Sequence, residues 1–121
     1  MTQRRPRQHD EKYLRFIRSL PCVVCKDDTT TEAAHIRFSD ASIGKFNAGV
    51  GAKPDDKFAL PLCGDHHRQQ HLIGDERTWW RCVDMDPIEI SKQLYAVSGN
   101  YEAGLRIVMR AGQYVNPMMA G

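Results

Sequence analysis

The sequence predicts an α+β domain, a short pair of strands packed by N-terminal and C-terminal helices and tied to a metal. Three observations carry that expectation. Cys22-x-x-Cys25 and Cys63-x-x-His66 have the half-site spacing of structural zinc. Two short apolar stretches, Glu32 to Phe38 and Phe58 to Leu62, have the length of strands rather than helices. From Glu76 onward the chain repeats helical start and stop signals.

At 121 residues the chain fits one domain with a modest core. A mean hydropathy of −0.53 is that of an ordinary soluble protein, not a disordered one. No apolar run reaches membrane-span length, and Met1 to Arg7 lacks the apolar core of a secretory signal, so no membrane association and a cytoplasmic address are expected. In that reducing compartment four cysteines argue against a disulfide framework. A redox role for the Cys-x-x-Cys pair would want a βαβ context, and a second ligand-rich cluster follows instead. The net charge is only +2, but Arg4, Arg5, Arg7, Lys12, Arg15 and Arg18 crowd the start against Asp10 and Glu11. Such an arm binds nucleic-acid phosphates or simply solvates a tail.

Residues 1–8 are read as this basic flexible arm, and 9–121 as a single domain with a metal core at about 20–73 and a helical part at about 76–112. Asp10 N-caps a helix to about Leu20, with Tyr13, Leu14, Ile17 and Leu20 on one face, and Pro21 ends it. Pro21 to Lys26 is a turn presenting two thiolates to one ion, a zinc knuckle. Glu32 to Phe38 is a strand holding His35, with Ile36 and Phe38 on the opposite face. Ser39 to Lys57 is a long glycine-rich loop, where Gly49-Val50-Gly51 either approaches a phosphate or is simply flexible. Phe58 to Leu62 is the second strand and delivers the chain to Cys63.

A helix then carries His66, His67 and His71 and closes at Gly74. A further helix at Glu76 to Val83 carries Trp79 and Trp80, one expected in the core and one at its edge. Asp86-Pro87 opens a helix to about Val97, and Asn100 caps a last one to about Ala111. Cys82, Tyr95 and Met109 are read as core residues.

Helical geometry divides the Cys63 to His71 run. Each residue advances about 100° around the axis, so adjacent His66 and His67 cannot easily share an ion. Cys63 and His66 complete a Cys3His set with Cys22 and Cys25, the expected structural Zn2+ site. Residues 26–62 separate its halves, too many for a simple zinc-ribbon loop, so they must contain structure of their own. His67 and His71, at i, i+4, can grip a second ion while leaving coordination positions open for water or substrate. His35, on the strand expected to pack against this helix, suits a general base on water, although singly it could be a hydrogen-bonded core histidine.

The succession of knuckle, Ala34-His35-Ile36 strand, loop and Leu60-Pro61-Leu62-Cys63-x-x-His66-His67-x-x-x-His71 resembles the HNH, or ββα-metal, endonucleases. It is most similar to the small phage and prophage group related to the phage recombination-enhancement nuclease, and Gly49 to Asp56 is also typical of that group. The resemblance covers roughly residues 20–73. It implies His35 as the residue that activates water, and His67 and His71 as ligands of a catalytic divalent metal, Mg2+ or Mn2+ foremost, with Zn2+ as a further candidate. Cys22, Cys25, Cys63 and His66 would hold the structural zinc. Relatives often carry Asp or His just before the general base, and this chain has Ala34. The asparagine of the motif would fall near Phe58, with Asn47 as a substitute. A further metal ligand would come from Asp40, Asp55 or Asp56, or the metal would be held by fewer protein groups.

The expected activity is hydrolysis of DNA phosphodiester bonds with little sequence specificity, in phage or bacterial recombination or DNA processing. A recombinase or other phage DNA-processing protein is the expected protein partner. Arg4, Arg5, Arg7, Arg37, Lys53 and Arg68 are candidate phosphate contacts or solvated surface charges. The alternative is a non-catalytic zinc-stabilised DNA-binding or protein-interaction module, for which His35, His67 and His71 have no use.

Overall fold

Asp10 starts the first helix: its carboxylate accepts the Tyr13 N–H and so caps α1 (Glu11–Arg18). A computed structural model of the chain describes residues 8–38 and 55–112. Along α1, Tyr13, Leu14, Phe16 and Ile17 are buried, while Arg15 and Arg18 favour the negative end of the helix dipole in the last turn. The helix ends at Ser19, ahead of the backbone restriction that Pro21 imposes on Leu20. Gln8, assigned by sequence to the arm, is held on both sides. Its N–H donates to Asp55 Oδ1 and its carbonyl accepts the Asp56 N–H.

Two antiparallel strands follow, β1 (Thr31–His35) and β2 (Ala59–Cys63), in the register Thr31 to Cys63, Ala34 to Leu60 and His35 to Ala59. β1 is shorter than the expected strand to Phe38. The Ile36 N–H still reaches the Phe58 carbonyl, but the Arg37 N–H turns away to Glu76 Oε1, which ends the ladder. A short 3-10 turn, Asp56–Phe58, replaces the expected start of the second strand. Every residue of β2 is buried, as befits a strand covered on both faces.

Four helices complete the domain, for five helices and a two-stranded sheet among the described residues. α2 (Gly64–Ile73) begins directly after β2 and stops at Gly74, whose φ of +81° is left-handed and suits glycine. α3 (Glu76–Cys82), α4 (Pro87–Ala96) and α5 (Tyr101–Arg110) are capped by Asp75, Asp86 and Asn100, each through a side-chain oxygen. Pro87 occupies the first turn of α4, where its missing N–H costs nothing.

One apolar cluster joins α1, the knuckle, the hairpin and α3 to α5. Trp79 and Trp80 both lie inside it, contrary to the expectation of one core and one edge residue. Their rings meet edge to face at 4.8 Å, and the indole N–H groups donate to Gln69 Oε1 and Glu76 Oε2, so neither needs water. Three other expectations of burial fail. Cys82 is exposed because α3 turns its tryptophan face inward, and Tyr95 and Met109 are 41% and 40% exposed. Tyr95 instead donates its hydroxyl to Asp10 Oδ2 at the surface. α5 approaches α1 closely at Gly104, where an added Cβ would come within 2.5 Å of Phe16 Cζ. Among the described residues, no helix is long and apolar enough to cross a membrane.

Candidate metal centre

The knuckle turn is built by the backbone. The Lys26 N–H donates to the Cys22 carbonyl, the Cys22 N–H to the Asp27 carbonyl, and the Val23 N–H to Pro61 on β2. That last bond brings Cys22 and Cys25 beside the end of β2, where Cys63 stands. Lys26 takes a left-handed φ of +66°, and its ammonium donates to the carbonyls of Val23, Val108 and Ala111. The knuckle is thereby fastened to the C-terminal end of α5, whose exposed carbonyls favour a cation.

Four ligand atoms converge, from Cys22, Cys25, Cys63 and His66, all within 4.8 Å of one another. Tetrahedral zinc with bonds of about 2.3 Å to sulfur and about 2.0–2.1 Å to nitrogen needs sulfur pairs about 3.8 Å apart and sulfur–nitrogen pairs about 3.5 Å apart. Here Cys25 Sγ lies 3.8 Å from Cys63 Sγ, and His66 Nδ1 lies 3.7 Å from Cys22 Sγ and 3.2 Å from Cys63 Sγ. The chemistry and the spacing both fit, so the cluster could hold a zinc ion.

The N–H groups of Val24 and His66 point at the Cys22 and Cys63 sulfurs, each at 3.4 Å. Burial raises the Cys22 thiol, but hydrogen bonds from the backbone of Cys25, Cys63 and Val24 outweigh it and hold the pKa below the usual value. Cys25 moves the other way, pushed up to about 11 by burial and by the neighbouring sulfurs. Three sulfurs and an imidazole nitrogen gathered within 4.8 Å of one another suit a cation between them.

His67 and His71 stand outside this cluster, their rings 4.9 Å apart on α2. His67 Nδ1 lies 2.7 Å from Glu32 Oε1, a carboxylate on β1. The pKa of His71 is lowered from the ordinary histidine value, first by burial and then by His67 and Arg37, which favours the neutral imidazole. Among the described residues no second group of three or more ligand atoms gathers as the Cys3His set does. Glu32 and the two imidazoles are the material at hand there.

His35 closes β1 half-buried, with Nε2 2.9 Å from Oδ1 of Asp56, which is only 2% exposed. The other Asp56 oxygen accepts the Asp10 N–H, and Asp55 Oδ1 accepts that of Gln8. Asp55 and Asp56, candidates by sequence for a further metal ligand, are thus bonded to Gln8, Asp10 and His35. Ala34, 1% exposed, faces the core.

Arg37 follows two residues after His35 and lines a cavity with His71. Arg68 is exposed on α2 and pairs with Asp65. Arg4, Arg5, Arg7 and Lys53, with Asp40, Asn47 and Gly49 to Gly51, lie outside the described residues. Sequence reasoning missed Glu32 as the partner of His67, Asp56 as the partner of His35, and the Lys26 tie. Only Asp55-Asp56 gave a signal, as two carboxylates directly ahead of a buried strand.

Fold and site together define an α+β domain with a small two-stranded sheet and a Cys3His group able to bind metal. The chain belongs to the family described as protein of unknown function (DUF968), whose model matches residues 2–85. It is similar to the uncharacterized protein YdfU of Escherichia coli (strain K12), 35% identical over 68 residues, which is 56% of this chain. That match covers 18% of YdfU, so it spans less than a fifth of the relative's length. No solved structure matches the chain.

Proposed function

We propose that the protein is a metal-dependent HNH-type endonuclease that hydrolyses DNA phosphodiester bonds with little sequence preference. The observation that carries this reading is the division of labour along α2. His66 belongs to the Cys3His group, while His67 and His71 lie side by side outside it. A zinc-stabilised module has no need of that second pair.

His35 would take the proton from the attacking water. With Nε2–H donating to Asp56, Nδ1 would serve as the basic nitrogen, and the buried carboxylate would stabilise the imidazolium that forms. His67, donating Nδ1–H to Glu32, would present Nε2 to a divalent ion beside His71. When bound, that Mg2+ or Mn2+ would neutralise charge on the scissile phosphate and stabilise the leaving 3′-oxygen. Arg37, Arg68 and the basic residues of the arm would hold DNA through its phosphates, which gives affinity without sequence reading. A role in recombination or DNA processing, beside a recombinase or similar phage protein, follows from the same reading.

The test incubates supercoiled plasmid with native protein and His35→Ala, in Mg2+, Mn2+ or no added metal. Native protein is expected to nick only with metal, and His35→Ala to lose about 10²–10⁴-fold in rate. Equal nicking by the two proteins would sink the mechanism. One observation favours the alternative, a non-catalytic zinc-stabilised DNA-binding or protein-interaction module. His35 and His67 each already have a carboxylate partner, which suffices to explain them structurally. DNA binding with no nicking under any metal would identify that module.

A further inference from the structure

Ile88, Ser91, Lys92 and Tyr95 are spaced three and four residues apart on α4 and so share one face of it. Opposite them stand Lys57 and Phe58, from the 3-10 turn ahead of β2, and between the two walls lies a cavity of about 400 Å³. Small-molecule sites usually measure about 300–1,000 Å³. The charged residues of the lining are both lysines, one on each wall.

Tyr95 is 41% exposed, yet its ring is held in place. The hydroxyl donates to Asp10 Oδ2 at 3.1 Å, and the ring meets that of Tyr13 in a T-shaped contact at 5.0 Å. An aromatic ring fixed in this way and still open to solvent can take a planar partner at little further cost in ordering. Lys57 and Lys92 are exposed, and neither is in an ion pair among the described residues. Lys57 lies over the Phe58 ring, 5.2 Å from its centre, which keeps its ammonium at the cavity wall.

An aromatic platform with a cation to either side selects a planar ring flanked by negative charge. A nucleotide within a strand has that make-up, a base with a phosphate on each side. The base must be unpaired, because duplex bases are stacked on both faces. Lys57 directly follows Asp56, the partner of His35, which joins this wall to the candidate catalytic strand.

We propose that this cavity is a subsite for single-stranded DNA, in which one base stacks on Tyr95 while Lys57 and Lys92 hold the flanking phosphates. The proposal rests on the reading of the protein as one that acts on DNA, and it names unpaired strands as the substrate class. A free nucleotide shares the same chemistry and is separated from a strand by competition.

The experiment titrates zinc-loaded, full-length protein, without added Mg2+ or Mn2+, into 3′-fluorescein-labelled 12-mers: single-stranded, duplex, and an abasic strand with the same phosphates. Fluorescence anisotropy reads the affinity of native protein, Tyr95→Leu and Lys92→Gln, and thermal melting is recorded alongside. Native protein should prefer the single strand to the duplex. Tyr95→Leu should bind the single strand roughly tenfold more weakly, as for one lost base stack, and the abasic strand like native protein. Lys92→Gln, at an exposed position, should weaken both strands alike and lower the salt slope by about 0.7.

Equal affinity of native protein and Tyr95→Leu for the single strand overturns the subsite. So does an equal loss on the base-bearing and abasic strands, because a damaged fold would lose both. Displacement of the 12-mer by dTMP at equal nucleotide concentration would assign a free nucleotide and overturn the strand. Dimerisation that Tyr95→Leu abolishes, with DNA affinity unchanged, would assign the cavity to a second copy of the chain. The two readings fail separately. If His35→Ala nicks like native protein, the nuclease reading fails while a Tyr95→Leu loss confined to base-bearing strands still stands. If His35→Ala is inactive and Tyr95→Leu binds normally, only the subsite fails.

Discussion

At its beginning α2 gives His66 to a cluster of three cysteines, and from the next residue onward it gives His67 and His71 to a partly exposed surface backed by carboxylates. The first region is closed. Its four ligand atoms are mutually within bonding range of one ion, two of the cysteines are buried, and backbone N–H groups steer two of the sulfurs. The second is open. It has two imidazoles on one helix, a carboxylate on each of two other segments, and a cavity at its edge. A closed ligand set holds elements together, whereas an open one leaves a coordination position for chemistry. One helix presents His66 to the first region and His67 to the second because successive residues diverge by about 100° around its axis.

The largest effect should come from the closed region. Cys22→Ser removes a buried sulfur from the point where knuckle, β2 and α2 meet. Metal binding in small zinc domains contributes about 10–16 kcal/mol to folding, so this chain should lose both zinc and its cooperative melting transition. Zinc content by atomic absorption and far-UV circular dichroism together check this. A zinc-free variant that melts like the native protein would erase the distinction between the two regions.

The next effect should come from Asp56, whose two oxygens meet the Asp10 N–H and His35. Asp56→Ala leaves the Asp10 N–H without its acceptor and His35 without its partner, at a cost of about 1–3 kcal/mol by urea unfolding, along with the nicking activity. Asp56→Asn keeps an oxygen for Asp10 but not the negative charge. It should recover most of the stability and little of the activity. Recovery of both together would show that the Asp56 charge does not matter to His35.

The same contrast explains what could be read from the sequence. The Cys3His set is encoded in two local spacings, and the caps Asp10, Asp86 and Asn100 act within three residues of themselves, so each was legible. The open region is assembled from pairs distant in the chain. Glu32 and His67 are 35 residues apart, and His35 and Asp56 are 21 apart, and no local pattern announces either pair. The end of β1 is hidden from local sequence for the same reason, since the Arg37 N–H is captured by Glu76 of α3. Both tryptophans are buried because Gln69 and Glu76 accept their N–H groups, which helical periodicity alone does not reveal.

The most direct test of the division along α2 is His67→Ala, assayed for zinc content, melting temperature and plasmid nicking on one preparation. One zinc per chain and a native melting temperature should be retained, because His66 and the three cysteines are untouched. Nicking in Mg2+ or Mn2+ should fall about 100-fold or more, as expected when a metal ligand is lost. A variant that loses its zinc, or one that nicks as fast as the native protein, would contradict the assignment of the two histidines to separate tasks.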